Sequence, residues 1–376
     1  MMRVLIAGGG TGGHFYPALA VMEELSQREP GTRLAYIGTR RGIEGRILPS
    51  YPWIRFFPIH ARGFERGNLW QNLYAIVLLS LAFLETLITI VRFRPQIIIG
   101  MGGYASFPAV LLGSLLGKVI PIRTVIHEQN ATAGLTNRIL APFVDKVLVS
   151  YPQSKAGLLH ARCIVVTGNP IRKEFLLAKR TAEVYQRFDL DPKKQTVLVF
   201  GGSHGSTALT TAIVRAKGSI SKSERLQVLL VTGKSGEESA IREDFNRAGV
   251  HNIVVRQYIE RMGEAFAVAD LVVSRAGATT LAEITSCGKP ALLVPWGEAA
   301  GGHQWENARV LREEKACTLV DEADILEHGL AELICQMVGD REGLTRMAHN
   351  SMRMGKRQAT TLILGEIITL TGGART

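Results

Sequence analysis

The sequence predicts an α/β protein built from two Rossmann-like, doubly wound domains, and three observations carry that prediction. First, short apolar β-type runs alternate with helix-length segments along all 376 residues. The runs fall at 3–7, 34–37, 97–100, 123–127 and 146–150, and again at 196–200, 227–232, 253–257, 271–274 and 291–294. Such alternation implies parallel sheets covered by helices on both faces. Second, each series opens with a strand that runs straight into Gly-Gly and a helix, so the halves read as a pseudo-repeat. Third, Thr167-Gly168-Asn169-Pro170 gathers turn formers between the series.

The length suffices for two domains with separate cores. They are expected at 1–166 and 167–346. The last helix, about 346–370 within the basic segment 347–376, is expected to return to the first domain on grounds of charge alone. The four cysteines, Cys163, Cys287, Cys317 and Cys335, form no CxxC pair and no metal-type spacing with histidine. They read as reduced thiols of an intracellular protein. The start, Met-Met-Arg-Val-Leu-Ile-Ala-Gly, reads as a first strand and not as a signal peptide.

The formal charge of +11 is unevenly placed. Residues 1–166 hold 17 Lys/Arg against 8 Asp/Glu, residues 167–346 hold 23 against 24, and residues 347–376 hold 4 against 1. An excess confined to one half points to an anionic partner: nucleic acid, anionic lipid or a phosphorylated substrate. From Leu73 to Val91 the clearly polar residues are Ser80, Glu85, Thr86 and Thr89. That approaches the length of a membrane span. A span here would leave the first glycine loop and the strand at 97–100 on opposite sides of a bilayer, so their sheet could not form. The helix is therefore expected either to be buried or to dip into a membrane interface beside Arg62, Arg66, Arg92 and Arg94.

The chemistry-bearing motifs lie at the ends of the expected strands. Gly8-Gly9-Gly10-Thr11-Gly12-Gly13-His14 satisfies G-x-G-x-x-G, in which glycines let the backbone approach a diphosphate and a helix N-terminus supplies amide donors. Gly201-Gly202-Ser203-His204-Gly205-Ser206 repeats it. Two such loops imply two diphosphate sites. Tyr104 and Ser106, in the segment 101–108, can hydrogen-bond a sugar or phosphate. His127-Glu128-Gln129-Asn130 places four hydrogen-bonding side chains at a strand tip, with His127 and Glu128 as acid/base candidates. The segment 274–283 offers Thr279, Thr280 and helix amides to phosphate, and Glu283 to the two hydroxyls of a ribose. Gln304 and Asn307 suit sugar hydroxyls, which need groups that both donate and accept. No acidic cluster suggests a metal clamp on the diphosphate. Leaving-group stabilisation without metal is expected, with stimulation by a divalent cation left open.

Together these motifs resemble the MurG family, bacterial cell-wall UDP-N-acetylglucosamine transferases acting on undecaprenyl-diphospho-muramoylpentapeptide. The matching pieces are GGGTGGH at 8–14, MGGYAS at 101–106, HEQN at 127–130, GLTNR at 134–138, GNPIR at 168–172, GGSHGS at 201–206, the segment 274–283 and HQWENA at 303–308. They cover nearly the whole chain. The resemblance implies a GT-B glycosyltransferase fold with its active site in the cleft between two Rossmann-like domains. It also implies a peripheral enzyme of peptidoglycan synthesis on the cytoplasmic face of the plasma membrane, with no nucleic-acid partner and no required cofactor.

Residue by residue, the resemblance implies donor contacts from Thr11, Gly12, Gly13, Asn130, Arg172, Ser203, Ile259, Ala278, Thr279, Thr280, Leu281, Ala282, Glu283 and Gln304. The acceptor falls to Gly10, His14, Tyr104, Ser106 and His127. The general base is His14 or, second, Glu128. Two residues depart from the family pattern: His204 replaces a common glutamine, and Phe107 a common glycine before proline. Three readings stay open beside it. They are another GT-B UDP-sugar enzyme such as a lipid glycosyltransferase or an epimerase, a dinucleotide-dependent oxidoreductase using residues 8–13, and a nucleotide-sugar-binding protein without activity. For the oxidoreductase, the expected acidic ribose ligand is not apparent; Gly38-Thr39-Arg40-Arg41 occupies its region and suits a 2′-phosphate instead, and the second glycine loop is then unexplained.

Overall fold

The computed structural model describes residues 1–63, 69–202, 205–233, 238–327 and 329–372. Arg66, Ser203 and His204 lie outside the described residues. The chain divides into two compact units, Met1–Ile171 together with Gln358–Thr376, and Arg172–Arg357.

In the first unit, β1 (Arg3–Ala7), β2 (Arg33–Thr39), β3 (Ile54–Ile59), β4 (Ile97–Gly100), β5 (Arg123–Glu128), β6 (Lys146–Val149) and β7 (Ile164–Val166) form one sheet. Its order is β3-β2-β1-β4-β5-β6-β7, and every pairing is parallel. Alternation along β1 sends Val4 and Ile6 to one core and Leu5 and Ala7 to the other. In the second unit, β8 (Gln195–Phe200), β9 (Leu226–Val231), β10 (Ile253–Arg256), β11 (Leu271–Ser274), β12 (Ala291–Leu293) and β13 (Cys317–Leu319) form a parallel sheet in the order β10-β9-β8-β11-β12-β13.

Both sheets are wound outward from a central strand and then restart beside it. The reversal falls between β1 and β4 in one unit and between β8 and β11 in the other. At such a switch point the connecting helices leave in opposite directions and open a crevice beyond the strand ends. Each glycine loop follows one of the two central strands.

Strands β3, β7 and β13 do not stand out in the sequence. All three are sheet edges. An edge strand loses little by carrying Pro58 or an exposed Arg55, and β7 and β13 are only three residues long.

The apolar segment forms the helix Leu69–Phe93, which joins β3 to β4. Both of its ends return to one parallel sheet, so it is a crossover and not a span. Ala75, Ala82, Thr86, Thr89, Ile90 and Phe93 are buried, whereas Tyr74, Ile76, Val77, Leu81, Leu84, Leu87, Ile88 and Val91 are exposed, Val91 to 62%. The reading of a fully buried core helix is therefore corrected: one face packs on the sheet and an apolar face is left open.

The expected single helix at 346–370 is two. Arg341–Met354 belongs to the second unit and Ala359–Leu370 to the first. The break sits at Gly355, where an added Cβ would come within 2.5 Å of the Thr285 carbonyl oxygen. Ile363, Leu364 and Ile367 enter the core beneath the helix Gly12–Arg28, and Lys146 pairs with Glu366.

Candidate active site

In the first unit, β1, β4 and β5 are neighbours, and their loops converge. Gly9 is pressed against the next strand's loop: a Cβ there would stand 2.8 Å from the Cβ of Ala105. Gly10 has φ +91°, a backbone conformation that other residues adopt only with strain, and Tyr104 Oη lies over it. Thr11 caps the helix Gly12–Arg28 with its backbone alone and is exposed, as is Gly13, whereas Gly12 is buried.

His14 lies against the turn after β4. A Cβ on Gly102 would meet its Cε1 at 3.0 Å, and one on Gly103 its Cδ2 at 3.2 Å. Nδ1 is buried beside Gln129 and the Met101 carbonyl without reaching hydrogen-bond geometry to either. Burial pushes the His14 pKa down, while Glu128, Gln129, Met101 and Glu44 act in the opposite direction. The imidazole is thus neutral at neutral pH and able to take a proton.

The HEQN segment is a hydrogen-bond network centred on Glu128, and it leaves the buried Gln129 Oε1 and Asn137 Oδ1 without a hydrogen-bond partner among the described residues. Glu128 Oε1 accepts from Asn130 N (2.9 Å) and Asn130 Nδ2 (3.0 Å), and Oε2 accepts from Gly134 N (2.9 Å) and Asn137 Nδ2 (2.8 Å). Four donors fill the carboxylate's acceptor sites. His127 is fully buried between Gly168 O, 3.0 Å from Nε2, and Gln129 Nε2, 3.1 Å from Nδ1. Nε2–H donates, Nδ1 accepts, and burial lowers its pKa to about 4. Gln129 Nε2 also donates to Met101 O at 2.9 Å, joining the β4 and β5 loops. Ser106 is fully buried and donates to Gly103 O at 2.9 Å. Of the expected acceptor residues, Gly10, His14 and Tyr104 line the loops, while Ser106 and His127 brace them from behind.

Two supporting residues carried no usable signal in the sequence. Glu44 is fully buried and accepts from Thr39 N (2.7 Å) and Thr39 Oγ1 (3.0 Å) beneath the first glycine loop. Asn137 sits within the GLTNR motif, but its service to Glu128 appears only in three dimensions.

In the second unit, a Cβ on Gly201 would strike the Gly205 and Ser206 backbone at 2.3 Å, so this loop closes only with glycine. Ser206 Oγ then caps the helix Thr207–Ser221 by accepting from Leu209 N at 3.3 Å. After β11, the helix Ala278–Ser286 starts at Gly277 without a side-chain cap and with no acidic residue in its first turn. Such an N-terminus favours an anion. Gln304 Oε1 accepts from Ala276 N (3.2 Å) and Trp296 N (2.9 Å), and Asn307 Nδ2 donates to Ala276 O (3.3 Å). The oxygen end of Gln304 thereby fixes the loops after β11 and β12.

Glu283 is buried on that helix, as are Ala278, Thr279 and Leu281, while Thr280 and Ala282 are half-buried. Ile259 is buried in the turn after β10. Arg172 Nη2 is 3.8 Å from Glu283 and Nη1 2.9 Å from Glu174. Burial raises the Glu283 pKa to about 7, Arg172 opposes it and Glu174 adds to it. Among the described residues, no three His, Cys, Asp or Glu side chains gather as a metal site.

Two family models match the chain, the glycosyltransferase family 28 N-terminal domain at 4–149 and the C-terminal domain at 196–363. The chain is 38% identical over 369 residues to a UDP-N-acetylglucosamine–N-acetylmuramyl-(pentapeptide) pyrophosphoryl-undecaprenol N-acetylglucosamine transferase of Desulforamulus reducens, covering 96% of this chain and 97% of that protein. It is 37% identical to the enzyme of that name from Desulforudis audaxviator, covering 99% of each. In fold it is similar to the crystal structure of Acinetobacter baumannii MurG, with a TM-score of 0.73, 24% identity and coverage of 98% of this chain and 100% of that one. It also resembles in fold the Neisseria meningitidis UDP-GlcNAc 2-epimerase, with a TM-score of 0.69, 16% identity and coverage of 98% and 100%.

Proposed function

The chain belongs to the MurG family of family 28 glycosyltransferases, and from that premise we infer that it transfers N-acetylglucosamine from UDP-N-acetylglucosamine to undecaprenyl-diphospho-N-acetylmuramoyl-pentapeptide. The observation that carries this reading is the neutral His14 imidazole, held between the MGG turn and the HEQN network at the β1/β4 switch point. A base in that position suits attack by a hydroxyl.

The transfer is inverting. The 4-hydroxyl of the acceptor's muramoyl sugar attacks the anomeric carbon, its proton passes to His14, and UDP leaves. Negative charge gathers on the diphosphate, where the first-turn amides of Ala278–Ser286, the loop 201–206 and Arg172 stabilise it without requiring a metal. Glu283 accepts from the ribose hydroxyls, Ile259 meets the uracil through its backbone, and Ser203 meets the diphosphate. Asn130, Ala278 and Gln304 serve the donor sugar. The filled acceptor sites of Glu128 favour His14 as the base, with Glu128 acting on it through charge and through the loop. Gly10 and Tyr104 serve the acceptor beside His14.

The open apolar face of Leu69–Phe93 fits a peripheral position on the cytoplasmic face of an anionic membrane. Leu115, Val119 and Ile120 extend the exposed apolar surface of this unit, and Arg92, Arg94 and Lys118 are exposed near them in sequence. Phe107, the departure from the family pattern, stacks edge-on against Phe83 with centroids 6.0 Å apart and so braces this helix. Incubating radiolabelled UDP-N-acetylglucosamine with the lipid acceptor tests the reaction. Label is expected in the lipid product with and without chelator; epimerised donor and unlabelled lipid would contradict it. Flotation with anionic but not zwitterionic vesicles is expected, and absence of flotation would remove the membrane reading.

A further inference from the structure

The turn into the helix Lys173–Leu177 brings three charges together. Arg172 stands over the Phe175 ring, 5.1 Å from its centroid, and faces Glu174 at 2.9 Å and Glu283 at 3.8 Å. The Glu174 oxygen approaches outside hydrogen-bond geometry, so this contact is an ion pair. Glu174 is nonetheless fixed in place. The helix Met262–Val268 packs so closely that a Cβ on Gly263 would lie 2.6 Å from the Glu174 carbonyl oxygen, and the Gly263 amide is among the groups that favour the ionised Glu174 carboxylate. One guanidinium thus serves two half-buried or buried carboxylates, one of them the ribose ligand of the reading above.

We propose that Glu174 is a positioning residue of the donor site: it draws Arg172 away from Glu283 and thereby governs the charge with which Glu283 meets the ribose. The proposal rests on the donor-site reading. An ionised carboxylate offers one acceptor oxygen to each of two hydroxyls, whereas the protonated acid turns one of those oxygens into a donor. Burial and Glu174 both hold Glu283 in its protonated form at up to about 7, against the pull of Arg172. Arg261 and Glu264, from the helix packed on Glu174, act on that residue. Cys287, one turn further along, faces Glu283, with Lys289 and Arg357 beside it. Donor affinity therefore rises as pH rises through 7, and donor binding near that pH releases a proton.

Isothermal titration with UDP-N-acetylglucosamine, without acceptor, between pH 5.5 and 8.5 tests this. Its diphosphate stays fully ionised throughout, unlike that of UDP. In Glu174→Gln the midpoint of the affinity profile should move down by about one unit. Binding at pH 6 should then be about fivefold tighter, the gain in ionised fraction for that move. Glu174→Asp, which keeps the charge, should restore the wild-type profile. In the wild-type protein alone, the binding heat at pH 6.5 should vary with buffer ionisation enthalpy as one proton is released. An unmoved midpoint in Glu174→Gln, an equal loss of affinity at every pH, or a heat independent of buffer would overturn the proposal. If the wild-type protein bound no donor, the donor-site reading itself would fall and take the proposal with it.

Discussion

Glu128, the last residue of an inner strand, and Glu283, on the helix that follows another, are both buried carboxylates, yet their surroundings treat them in opposite ways. Glu128 in the first unit takes four neutral donors, two on each oxygen. Glu283 in the second unit has an arginine at 3.8 Å, shared with a second carboxylate, and its pKa is pushed up to about 7. A carboxylate answered by the backbone and by asparagines is a strut. A buried carboxylate left with a distant cation is prepared for donors that arrive with a ligand. The same loop-at-switch-point architecture thus carries a scaffold beside His14 in one unit, its carboxylate held by four neutral donors, and a carboxylate facing a shared arginine in the other.

The largest effect belongs to the residue that the scaffold presents. His14→Ala should lower kcat by about 10²- to 10⁴-fold, the range for removing a general base, with donor KM nearly unchanged. Steady-state rates at saturating acceptor decide this. A kcat within a fewfold of wild type would move the base elsewhere and leave the first unit without its central chemical group.

A smaller effect concerns His127, the neutral brace of the scaffold. Its folded pKa is lowered to about 4 from 6.5, so the folded form stays neutral where the unfolded chain takes a proton. Its contribution to stability is whole above pH 6.5 and is lost as pH falls toward 4, on the order of 3 kcal/mol across that window. Urea unfolding should show this slope in the wild-type protein and a shallower one in His127→Gln, whose amide still donates to Gly168. Equal slopes would mean that His127 is not held neutral, and the scaffold would lose its distinction from the second unit.

Much of this contrast was absent from the sequence. The two glycine loops and the central strands were legible, because an apolar run followed by glycines has a local cause. The edge strands β3, β7 and β13 were not, because one-sided pairing leaves little pattern in three to six residues. The long apolar helix was legible, but its open face was not, since a helix apolar all round does not say which side the sheet takes. At the site, His14, Glu128 and Glu283 were found by motif. That Glu128 is a hub, that Ser106 and His127 turn inward, and that Glu44 and Glu174 act on their neighbours all depend on contacts across loops. Those contacts leave no trace in local spacing.

The most direct measurement of the contrast pairs UDP affinity at pH 8 with thermal unfolding, in Glu128→Gln and Glu283→Gln side by side. An amide at 128 turns one acceptor pair into a donor facing donors, and should cost about 1–3 kcal/mol of stability while leaving UDP affinity close to wild type. An amide at 283 removes a buried charge and replaces one of the two acceptor oxygens facing the ribose with a donor. It should weaken UDP by about 10- to 100-fold while Tm holds or rises. The reverse pattern, with affinity lost at 128 and stability lost at 283, would contradict the account.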